Sequence, residues 1–124
     1  MKIYLALNAA LYLIFALWMT FLPTQTAAAV GYTALNNAGR SEFLVVYGGL
    51  QLGLAAFFAW AAWTPGMHRA GIVFALCLYL PIVVYRLVTV ARFWPVSKTT
   101  LMVGGLEVLL LIGAVILYAG ARRG

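Results

Sequence analysis

Residues 70–94 read AGIVFALCLYLPIVVYRLVTVARFW, and residues 99–119 read TTLMVGGLEVLLLIGAVILYA. Each stretch is long and apolar enough to cross a lipid bilayer, which takes about 20 residues. Each also carries one deeply placed charge, Arg86 in the first and Glu107 in the second. A charged side chain at such a depth costs at least ~2.5–3.5 kcal/mol, so it is rare, usually paired and usually functional. The chain holds eight Lys/Arg and only two Asp/Glu, which makes each acid conspicuous.

Counting depth brings the two charges together. Arg86 precedes Trp94 by eight residues, and Glu107 follows Thr99 by eight. At 1.5 Å per residue each sits about 12 Å from the same side of the membrane. Four residues, 95–98, join the two spans. Such a short link makes the spans antiparallel neighbours, and an Arg86–Glu107 ion pair is the economical expectation, because burying either charge alone costs more than burying the pair. Pro81, five residues before Arg86, removes one backbone bond and is expected to bend its helix.

Two further spans lie upstream, about 3–22 and 43–63. A chain that is 66% hydrophobic and 8% charged, with a mean hydropathy of +1.04, is far from a water-soluble average. Lone segments in hydrocarbon satisfy their own backbone only as helices. The expected fold is therefore an all-α membrane protein of one domain, 1–124, an antiparallel up-down-up-down bundle of four transmembrane helices. Within the longer link, 24–30 can form a short helix stopped by Gly31. Asn36, Asn37 and Gly39 mark a turn, and Ser41 is a good N-cap for the second span, which puts Glu42 in its first turn. Lys2, the first apolar run and Ala27-Ala28-Ala29 also resemble a signal peptide, but the run exceeds the ~7–15 residues of a usual apolar core, so it is read as a span.

The faces divide by residue type. Thr100, Gly104, Glu107, Leu111, Ala114 and Tyr118 recur at helical spacing as the inward face of the fourth span, while Tyr79, Arg86 and Phe93 share a face of the third. Tyr4, Asn8 and Tyr12 form a stripe on the first that ordinary packing explains. In the second span Gly49 and Gly53 form GxxxG, which permits close helix packing. They share a face with Glu42 and Val46, opposite Tyr47, Gly48 and Gln51, so the span is either sandwiched or touches another protomer. Gln51 and Asn8 suit hydrogen bonding between helices. Cys77 is an apolar filler. With one Cys and one His, no Cys/His metal cluster forms, and no cofactor is expected. The net charge of +6 is scattered singly, which excludes a nucleic-acid surface.

The run Gly39-Arg40-Ser41-Glu42-Phe43, followed by Val46-Tyr47-Gly48-Gly49-Leu50-Gln51-Leu52-Gly53, resembles the bacterial DoxX-like four-helix membrane proteins, specifically a group catalogued as a domain of unknown function. The opening Tyr4-Leu5-Ala6-Leu7-Asn8, Arg86-Leu87 and Glu107 are similar to that group too. The resemblance implies a compact bundle in the bacterial inner membrane and no assigned activity. The wider set includes subunits associated with quinone-linked oxidoreductases and helpers in membrane-protein assembly. It marks Arg40, Glu42, Gln51, Arg86 and Glu107 as positions of interest.

Two readings of the charges follow. Arg86 and Glu107 either lock the bundle or, with Glu42, Arg40, Gln51 and Arg92 around them, floor a polar pocket for a lipid-like or quinone-like ligand. The expected partners are membrane lipids, such a ligand, and a partner membrane protein or a second copy. Nothing resembles a nucleophile–base pair or phosphate loop, so the protein is read as no enzyme. The alternative is a small dimeric proton-coupled transporter using Glu107. Small multidrug exporters, however, keep their essential acid in the first span, where this chain has none, and a carboxylate held beside an arginine is a better anchor than proton carrier. Lys2, Arg69, Arg122 and Arg123 outnumber Arg40, Arg92 and Lys98, so the positive-inside rule puts both termini in the cytoplasm. A reporter enzyme fused to the C-terminus is expected to be active only inside the cell; activity outside refutes this orientation.

Overall fold

In a computed structural model the chain is described over residues 1–30 and 36–123, with the side chains of Thr24, Arg122 and Arg123 outside that description. The described residues are helical, without a strand. The elements are α1 (Lys2–Phe21), α2 (Pro23–Ala29), α3 (Asn37–Phe43), a π-helical segment (Leu44–Leu50), α4 (Gln51–Trp63), α5 (His68–Arg92) and α6 (Lys98–Arg123). Four apolar helical stretches reach spanning length, because α3, the π segment and α4 run on as one helix of 27 residues, Asn37–Trp63.

The second span differs from its expected start. Asn36, not Ser41, is the N-cap, and its side-chain oxygen accepts a 2.8 Å bond from the Gly39 amide. The Asn side chain reaches an orphan N–H of the first turn, which extends the helix outward by more than a turn. Glu42 thereby leaves the first turn, where a carboxylate would have favoured the positive end of the helix dipole. The short helix after the first span forms as α2, with Pro23 at its start, where a missing N–H costs nothing. Gly31, the expected stop of that helix, lies outside the described residues. Pro81 sits inside α5, which continues through it to Arg92.

Two helix pairs make the bundle. Along α1 and its partner, Lys2 lies 5.6 Å from the Trp63 ring, Tyr12 stacks on Phe58 at 5.8 Å, and Thr20 abuts Gly48. Residue numbers rise on one helix as they fall on the other. In the second pair Arg69 lies 5.9 Å from the Tyr118 ring, and Arg86 reaches Glu107. The pairs meet where Phe57 packs on Phe74 at 4.6 Å and where Tyr4 crosses to α6.

The core is built from small residues between aromatics. Ala61, Ala62, Ala75 and Ala114 are fully buried beside Phe58 and Tyr79. Leu7, Ile14, Leu80, Leu87, Leu109 and Ile116 point outward instead. Water would penalise such a surface, whereas lipid solvates it, and small inward residues let the helix backbones approach. Gly71 is hemmed in from two helices: a Cβ there would meet both Leu5 methyls at 2.9 Å and the Ala61 methyl at 3.2 Å. Gly49 and Gly53 face open space, so among the described residues the GxxxG pair packs against no helix. Gly48, on the inward side with Tyr47 and Gln51, makes the close contact in its place.

Gly71→Val is expected to destabilise the bundle by about 1–3 kcal/mol through overpacking. Gly53→Val should change stability by no more than about 0.5 kcal/mol. Unfolding of the two variants in one detergent compares them, and equal loss would disprove the packing described for Gly71.

Candidate functional site

Arg86 lies on α5 and Glu107 on α6, at matched depth. The arginine stem crosses α6 over Gly104, where a Cβ would stand 3.2 Å from its Cγ and 3.5 Å from its Cδ. The missing side chain one turn before Glu107 is what gives the stem its path. Nη2 then donates to Glu107 Oε1 at 2.5 Å, forming the expected ion pair. The Glu107 side chain is 12% exposed and that of Arg86 33%.

The pair is only half engaged. A guanidinium can meet a carboxylate through two parallel bonds. Here Arg86 Nε and Glu107 Oε2 are both buried with no partner. Gln51, the first residue of α4, carries a third such atom, its Oε1. These three atoms are the only buried side-chain N or O without a hydrogen bond among the described residues. Gln51 therefore lacks the helix-to-helix bond expected of its carbonyl oxygen.

All three residues line one cavity of about 650 Å³ between α1, the π segment, α4, α5 and α6. Its walls are otherwise mainly apolar, with Leu11, Phe15, Leu54, Leu78, Ile82 and Leu110 among them. A cavity of that size, apolar with a few convergent polar groups, has the general character of a small-molecule site.

A separate polar network lies beside the cavity. Tyr79 lines the cavity, and its hydroxyl donates to Asn8 Oδ1. Asn8 Nδ2 donates to the Tyr4 carbonyl at 2.9 Å, and the Tyr4 hydroxyl donates to the Leu110 carbonyl at 2.6 Å. Asn8 is thus the inter-helix tie expected of it, and Tyr4 joins it by bridging α1 to α6. The seven-residue spacing of Tyr79 and Arg86 already puts both on one face. What that spacing does not disclose is that Asn8 stands opposite Tyr79.

Arg40, Glu42 and Arg92 stand apart from this centre. Arg40 and Glu42 are exposed on α3, and Arg92 is exposed at the end of α5, 5.5 Å from the Phe93 ring. None of the three lines the cavity. The separation follows from helix rise, since the nine residues from Glu42 to Gln51 span about 13 Å. Cys77 is a free thiol on the exposed side of α5.

A family model covers nearly all of this architecture, matching residues 1–119. The chain belongs to the family described as Domain of unknown function (DUF4345). No curated protein and no solved structure matches the chain. Membership of this family brings no assigned activity with it.

Removing one member of a buried ion pair strands the other, whereas replacing both with apolar residues does not. Arg86→Met alone should therefore destabilise the protein by about 3 kcal/mol, and Arg86→Met with Glu107→Leu should recover most of that loss. Thermal unfolding in detergent measures both, and a double variant weaker than the single would refute the ion-pair account.

Proposed function

We propose that this protein is a non-enzymatic membrane protein that binds an apolar-tailed small molecule, lipid-like or quinone-like, in the cavity of its bundle. The ligand's polar end meets Gln51, Arg86 and Glu107, and its tail lies along Leu11, Phe15, Leu54 and Ile82. One observation carries this reading: the three unpartnered buried polar atoms all belong to residues lining a single cavity. Burying a polar group without a bond is costly, so convergence of three in one cavity suits a molecule that completes them. Catalysis has less support, since the cavity lining offers no nucleophile beside a base. Proton-coupled transport also has less, because freeing Glu107 in each cycle would strand the Arg86 charge in hydrocarbon.

The setting proposed is the bacterial inner membrane with both termini cytoplasmic, on the basic residues flanking the spans. Kinship to the DoxX-like proteins rests on the motif from Gly39 to Gly53. Gly49 and Gly53, turned to open space, offer a close-packing face to a partner membrane helix.

Protein purified in mild detergent should retain an amphiphile in stoichiometric amount, read by solvent extraction and mass spectrometry. Leu54→Trp, which fills the cavity and spares the polar residues, should lose it. Glu107→Gln and Arg86→Met should weaken retention as well. Unchanged retention in all three variants would leave the pair with a purely structural role.

A further inference from the structure

The bonds left open in the cavity define the head group that would close them. Nη2 of Arg86 holds one carboxylate oxygen of Glu107, while Nε and the second oxygen Oε2 remain buried and unbonded. One is a donor and the other an acceptor, carried by two groups already in contact. The guanidinium Nε can only donate and a carboxylate oxygen can only accept. A group that answers both with one atom must accept and donate at once.

Charge narrows the choice. Arg86 and Glu107 are the only Arg, Lys, Asp or Glu residues among those lining the cavity, and each neutralises the other. An added anion would face Glu107 with no further cation, and an added cation would face Arg86 with no further acid. Either would be a buried charge without compensation. Ketones and ethers offer acceptors alone and leave Oε2 bare. A hydroxyl oxygen accepts from Nε–H and donates to Oε2. The Gln51 amide can serve a second hydroxyl in either sense, because it presents a carbonyl or an NH₂ according to how it is turned.

We infer that the cavity selects an uncharged hydroxyl-bearing amphiphile, its O–H seated between Arg86 Nε and Glu107 Oε2. This rests on the binding reading above and narrows it. The volume of about 650 Å³ falls within the roughly 300–1,000 Å³ of small-molecule sites, which suits one chain or ring system. Long-chain alcohols and partial glycerides share this chemistry with the hydroquinone form of a lipid quinone. Phospholipid head groups, fatty-acid carboxylates and oxidised quinones do not.

Matched probes test the head group on the unaltered full chain in maltoside micelles. Hexadecan-1-ol is compared with 1-methoxyhexadecane and hexadecanoate, and decylhydroquinone with decylquinone, with binding read by native mass spectrometry. The alcohol should bind about tenfold or more tightly than its methyl ether and the carboxylate, since each of those leaves a buried partner unmatched. Decylhydroquinone should exceed decylquinone by a similar factor. The tighter of the two hydroxyl probes then assigns the source, a simple lipid alcohol or a reduced quinone. Equal binding of alcohol and ether means that water fills the gap, and it overturns the hydroxyl assignment, as does preference for hexadecanoate or decylquinone. In those cases ligand binding itself stands. Retention of none of the five probes overturns the binding reading.

Discussion

Hydrocarbon offers an isolated charge no solvent, so Arg86 and Glu107 must neutralise one another within the bundle. That requirement reaches well past two side chains. It holds α5 and α6 at one relative depth, because the guanidinium can reach the carboxylate only when the two helices are aligned as they are. It also requires a gap on α6, which Gly104 provides by leaving the arginine stem a path. The path delivers Nη2 to the carboxylate and leaves Nε facing no partner. Two of the three open polar atoms at the cavity therefore follow from how the charge was neutralised.

The rest of the molecule gives a standard for judging that incompleteness. Asn8, fully buried, has both ends of its amide bonded, one to Tyr79 and one to the Tyr4 carbonyl. Thr26, equally buried, returns its hydroxyl to the Leu22 carbonyl. This fold satisfies buried polar groups where they serve only to hold helices together. The unsatisfied ones gather in a single place, where there is also room for a molecule. Loose packing in general would have scattered them.

Much of this was readable from residue order. The four spans follow from apolar length, and the ion pair follows from counting eight residues inward from each side of a short link. Both readings rest on properties that a helix imposes locally, its rise and its period. The features that escaped depend on contacts between distant residues. Asn36 and Ser41 are both good caps, and composition does not choose between them. Gly49 and Gly48 are adjacent and identical, yet among the described residues Gly48 meets Thr20 and Gly49 meets none. Glu42, Arg40 and Arg92 look like pocket residues because they lie on the same membrane side as the pair. Sharing a side leaves about 13 Å of helix between Glu42 and Gln51, which is too far for one small head group.

The π segment Leu44–Leu50 has a consequence for how the second span can change length. A π turn holds an extra residue relative to an α turn, so this stretch stores slack within an otherwise regular helix. Releasing it into α geometry would turn α3 by about 100° against α4, the angle of one residue in a 3.6-residue turn. Gln51 is the first residue beyond the slack, and Arg40 and Glu42 lie on its other side. Phe43, buried with Met19 and Ala27 at the end of α3, opposes that turn, so the packing of α3 on its neighbours is what keeps the slack in place.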